Sequence, residues 1–135
     1  MFHYTTETGL GVRDAVSALE AALQEEKFAV LWTFSIRERL REKGFDCSRE
    51  FIVLEVCSPE KASRVMETNF MAGYFMPCKI VVYEADGGTR IGLPKPTVFM
   101  ELMGDAELAN IADEVERKLI GCVDRVCAEA GGHNR

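Results

Sequence analysis

The sequence predicts an α+β fold in one domain spanning 1–135, with a mainly antiparallel sheet and two principal helices gathered on one of its faces. Three observations predict it. Two long segments carry apolar residues at helical spacing, several short ones carry the alternating or continuous apolar runs of strands, and tight turns join successive strands.

Residues 1–6 form a short strand, and Thr8-Gly9-Leu10-Gly11 supplies the turn after it. Val12, Ala15, Val16, Leu19, Ala22 and Leu23 then recur at helical intervals, which predicts a helix over about 11–26. From Phe28 to Ile36 the pattern changes to period two. Phe28, Val30, Trp32, Phe34 and Ile36 fall on one face of a strand, opposite Ala29, Leu31, Thr33 and Ser35.

Ser35 and Glu38 have the spacing of a capping box, so a short helix follows and stops near Lys43-Gly44. Phe51 to Cys57 is an almost unbroken apolar run, the mark of a central strand buried on most of both faces. Ser58-Pro59 then starts another helix, with the serine as N-cap and proline where its missing N–H costs nothing. That helix reaches about Asn69.

Pro77 has no N–H to give a ladder, so the next strand begins at Cys78 and runs through Ile80, Val81, Val82 and Tyr83. Asp86-Gly87-Gly88 makes a hairpin, Thr89 to Leu93 returns, and Thr97 to Leu102 is expected to resume the strand beyond Pro94-Lys95-Pro96. Asp105 caps the last helix. Leu108, Ile111, Ala112, Val115, Leu119, Cys122, Val123 and Val126 form its apolar stripe, ending at Gly131-Gly132. In shorthand the order is β-α-β(4)-α with short helical insertions.

Composition narrows the function classes. A net charge of −6 repels a phosphate backbone, and the densest basic segment, Arg37 to Lys43, is interleaved with Glu38 and Glu42, so no nucleic-acid partner is expected. No apolar run approaches the roughly 20 residues that span a bilayer, and the first residues lack the regions of a signal peptide. The expected compartment is the cytoplasm, with no membrane partner. Five cysteines, an odd number in a chain with ample core, fit free thiols.

Catalytic signatures are missing. Gly9-Leu10-Gly11 precedes a helix, but Asp14 occupies the third glycine position of a dinucleotide fingerprint and would repel a pyrophosphate. His-Glu-x-x-His, Gly-x-Ser-x-Gly and P-loop patterns do not occur, and the two histidines are His3 and His133. Glu55, Glu84 and Glu101 cannot be brought together as acid and base from sequence alone.

Two features could carry chemistry. Cys57 ends one strand and Cys78 opens another, so antiparallel neighbours would place both thiols at one edge of the sheet. Cys57 also precedes a helix N-terminus, whose positive potential favours a thiolate. A soft-metal or redox site on Cys57 and Cys78, with His3 as a third ligand, is one reading; small buried hydrophobes are the other. The second feature is the apolar segment 70–76. Its Met71, Tyr74, Phe75 and Met76 either plug the core or line a groove for an apolar ligand or a partner subunit.

Four segments in this order resemble a bacterial and archaeal family known as domain of unknown function 302 (DUF302): Phe28-Ala29-Val30-Leu31, Leu40-Arg41-Glu42-Lys43-Gly44, Val56-Cys57-Ser58-Pro59 and Met76-Pro77-Cys78-Lys79-Ile80-Val81-Val82-Tyr83-Glu84. The resemblance covers nearly the whole chain. It implies a fold similar to the TATA-box-binding protein, a curved antiparallel sheet backed by two helices, and a homodimer. It brings no reaction and no cofactor. Ser58 and Lys79 stand where the family pattern has asparagine. The combined expectation is a homodimeric protein without catalysis that binds an apolar small molecule or a partner, with thiol or soft-metal handling as the alternative.

Overall fold

Five strands, β1 (His3–Thr8), β2 (Ala29–Ser35), β3 (Phe51–Cys57), β4 (Cys78–Ala85) and β5 (Gly88–Pro94), form one sheet in the order β1-β5-β4-β3-β2, every neighbouring pair antiparallel. The computed structural model describes the backbone of residues 1–133 and the side chains of 1–128. The helices are α1 (Val12–Glu25), α2 (Ile36–Glu42), α3 (Pro59–Thr68), α4 (Pro96–Glu101) and α5 (Ala106–His133), with a 3₁₀ turn at Phe70–Phe75. The fold is α+β, as the patterning predicts. Among the described residues no helix is long and apolar enough to cross a membrane.

Period two sorts the central strands onto two faces. Ile52, Leu54 and Val56 of β3, Ile80 and Val82 of β4, and Ile91 and Leu93 of β5 point to one side and are essentially inaccessible. The stripes of α1 (Ala15, Leu19, Leu23) and α5 (Leu108, Ile111, Leu119, Val123) close over them in one hydrophobic cluster. Burial at this density, about 25 cal/mol per Å² of apolar surface, is the principal stabilising term. The other face carries Phe51, Val53, Val81 and Tyr83, none of which joins that cluster. Phe51 stacks on Tyr83 across the ladder, ring centroids 5.1 Å apart.

Local signals hold where the chemistry is local. Ser35 Oγ accepts from the Glu38 N–H at 3.0 Å, and Ser58 Oγ from the Lys61 N–H at 3.4 Å. Asp105 Oδ1 accepts from the Glu107 and Leu108 N–H groups. Gly44 ends α2 at φ 87°, and Asp86 and Gly87, both at positive φ, make the two-residue hairpin between β4 and β5.

Three expectations change, and one segment with no predicted element acquires one. Residues 97–102 do not resume a strand, because Pro94 already lies opposite His3, the first residue of β1, and the ladder has no β1 partner beyond it. Pro96 instead opens α4, whose Thr97 N–H and hydroxyl both donate to Glu116 of α5. A β-bulge between Val30 and Trp32 breaks the alternation of β2, so Val30 shares the face of its partner Val56 while Trp32, opposite Glu55, lies on the other. The apolar segment after Asn69 winds into the 3₁₀ turn. Helix α5 continues through Gly131-Gly132 to His133.

Candidate functional site

An apolar cavity of about 190 Å³ lies on the helix-covered face, at the end of the sheet away from the β4–β5 hairpin. The end of β3 (Val56, Cys57), the start of β4 (Cys78) and the end of β5 (Pro94) form its floor. Ala62 and Val65 of α3, Phe99 and Met100 of α4, and Ile111, Ala112 and Val115 of α5 form the walls. Phe75 and Met76 close the side where the chain enters β4, and Phe75 stacks on Phe99 at 5.8 Å between centroids.

The cavity follows from the local sequence. Pro59 and Pro96 each start a short helix immediately beyond a strand end, so α3 and α4 lift away from the sheet instead of extending it. Helix α3 buries one residue, Val65, and the 3₁₀ turn buries Ala72. Elements that bury so little cannot fill the space between the strand ends and α5.

Polar groups gather at the margin. Lys61 borders the cavity, is 15% exposed, and places its Nζ 2.7 Å from Glu114 Oε2 and 3.4 Å from Glu60. Arg64 meets the same Glu114 oxygen at 3.3 Å. The hydrogen bond from Lys61 holds the Glu114 carboxyl below the usual range, and in return raises the Lys61 ammonium. Together these pairs fasten α3 to α5. Lys79 also borders the cavity, but its register partner is Glu55, on the opposite face from inaccessible Ile80.

Because β3 and β4 are antiparallel neighbours, Val56 pairs with Cys78 and Cys57 follows one step on. Both cysteines line the cavity and neither is bridged. Burial, reinforced by the nearby Cys57, pushes the Cys78 thiol up to about 11, and burial also raises Cys57. Burial therefore acts against the thiolate that the α3 N-terminus was expected to favour at Cys57. His3 lies on β1, its Nδ1 2.8 Å from Thr5 Oγ1, opposite Pro94 in the ladder. Among the described residues no three of His, Cys, Asp and Glu form a group that could hold a metal ion. The side chain of His133 lies outside the described residues.

The four residues singled out in segment 70–76 separate. Phe75 and Met76 line the cavity, whereas Met71 and Tyr74 are exposed, Tyr74 by 80%. Sequence reasoning missed the contribution of α4 and α5. Lys95-Pro96 followed by apolar Val98, Phe99 and Met100 was the available signal, since proline is favoured at the first helical position.

It also missed a buried carboxylate at the opposite end of the sheet. Glu50, 4% exposed, accepts from the Ser35 hydroxyl at 2.6 Å and the Phe51 N–H at 3.1 Å, and meets Arg13 at 3.0 Å and Arg37 at 3.3 Å. Burial alone would push this carboxyl up, but Ser35, Phe51, Arg37 and Arg13 together hold it below its ordinary value. The cluster joins the start of α1, the β2–α2 junction and β3. Arg13 also meets Glu38 at 3.1 Å, so two cations face two carboxylates and the cluster reads as a fastening.

A family model described as Domain of unknown function DUF302 matches residues 4–126. The crystal structure of an uncharacterized conserved protein DUF302 from Bacillus stearothermophilus is similar, with a TM-score of 0.90 and 46% identity over 94% of this chain and 98% of that chain. No curated protein matches.

Proposed function

We propose a ligand-holding role, without catalysis, for this chain, which belongs to the DUF302 family: as one domain and as a homodimer it retains a small apolar molecule between α3, α4 and α5. The carrying observation is the cavity itself, open at one margin and walled almost wholly by apolar side chains. Dimerisation finds support in the second sheet face, where Phe51 and Tyr83 stack and Trp32 is 55% exposed with no helix of the core above them. Acidic charge and thiols suit a reducing cytoplasm and disfavour nucleic acid.

A second reading is soft-metal or thiol chemistry at Cys57 and Cys78. It is favoured by one fact: both border the same cavity, beside Met76 and Met100. The raised thiols oppose it, since a metal must displace their protons.

One preparation separates the readings. Protein purified without chelator is expected to release a small apolar molecule on denaturation, seen by mass spectrometry, and to carry under a tenth of an equivalent of zinc or copper. The Ala112→Trp variant, filling the cavity, should come out empty. Stoichiometric metal lost in Cys57→Ser would favour the second reading. An empty protein whose melting no apolar fragment shifts would overturn the first.

A further inference from the structure

Resting on that ligand-holding reading, we infer that the cavity selects an uncharged, single-ring aromatic molecule. Size comes first. An interior void of about 150 Å³ lined by aliphatic and aromatic side chains takes up benzene, and the 190 Å³ here admits one ring with a short substituent. A fused polycycle exceeds that volume, and a longer acyl chain would have to leave its tail in water at the open margin, forfeiting the burial of those methylenes.

Charge comes second. Lys61, the cation at the margin, is already committed to Glu114 and Glu60, and Lys79, though it borders the cavity, is exposed at a strand position that alternates with inaccessible Ile80. Among the described residues no unpaired cation stands inside the apolar walls to receive an ionised ligand, and the thiols at the floor stay protonated. A carboxylate drawn inside would lose its hydration without compensation. A neutral substituent fares better, because the Ser58 hydroxyl, whose oxygen accepts from the Lys61 N–H, still has a proton to donate at the margin.

Wall chemistry comes third. Phe75 and Phe99 offer ring contacts, and Met76, Met100, Cys57 and Cys78 bring sulfur to the same lining. Rings prefer offset or edge-on approach to other rings, and sulfur sits favourably at a ring edge. A saturated ring of equal volume gains only dispersion.

Methyl NMR of methionine-labelled protein tests this, reading Met76 and Met100 during titration with toluene, phenol, methylcyclohexane, benzoate and octanoate. Toluene and phenol are expected to shift both methyls saturably, methylcyclohexane to bind at least threefold more weakly, and benzoate and octanoate at least tenfold more weakly. Ala112→Leu should weaken toluene at least tenfold; if that variant fails to fold, Val65→Phe takes its place, and the wild-type titration decides regardless. Benzoate, octanoate or methylcyclohexane binding as tightly as toluene would overturn the ligand class while leaving the ligand-holding reading intact. If no probe moves either methyl, both fall.

Discussion

Glu50 shows how a carboxylate can be buried without being neutralised. Two arginines, a hydroxyl and a backbone N–H replace the water it loses, and the Glu50 N–H itself donates to Glu84 at 2.8 Å. Removing the charge leaves Arg37, only partly exposed, without its carboxylate. Glu50→Gln should therefore cost about 2–3 kcal/mol at neutral pH by urea denaturation, less than a fully buried pair because Arg13 reaches solvent. The native carboxyl titrates below its unfolded value of 4.5, so the stabilisation is fully present above that pH and is lost as pH falls through the native value. Wild type and variant should thus differ at pH 7 and converge on acidification. A gap that stayed constant would remove the pair as its source. None of this was legible from sequence, because Arg13, Ser35 and Arg37 meet Glu50 only once α1, β2 and β3 are assembled.

At the scale of elements, legibility followed the range of the forces involved. The stripes of α1 and α5, the serine caps at Ser35 and Ser58, and the start of β4 after Pro77 depend on neighbours a few residues away, and period and turn chemistry predict them. The bulge in β2 depends on β3, and α4 replaces a strand because β1 offers β5 no partner beyond Pro94; neither is written locally. The cavity, built from three strands, three helices and the 3₁₀ turn, was legible only as its Phe75-Met76 side and its two cysteines. Gly92 is a similar case. A Cβ there would stand 2.7 Å from Thr5 Oγ1 and 3.3 Å from the Tyr4 carbonyl oxygen, so the close approach of β1 to β5 requires glycine. Gly92→Ala should destabilise the protein by about 1–3 kcal/mol, and adding Thr5→Ala should recover part of the loss in a double-mutant cycle. Strict additivity would show that the clash lies elsewhere.

For the whole molecule, one sheet face is closed by α1 and α5 while the other presents Trp32, Phe51, Val81 and Tyr83. If a second copy covers that face, an acidic group at the Phe51–Tyr83 stack must be desolvated in the pair but not in the single chain. Tyr83→Asp is expected to convert dimer to monomer in sedimentation analysis, weakening association by about 2 kcal/mol or more, with far-ultraviolet dichroism unchanged. A wild-type protein that sediments as a monomer would dispose of the dimer directly. The bulge in β2 bears on how such association ends. A bent outermost ribbon is a poor template for another chain's hydrogen bonds, so accretion at the β2 edge is discouraged, and a two-fold coupling through the Phe51–Tyr83 side is self-limiting, complete when two molecules have met.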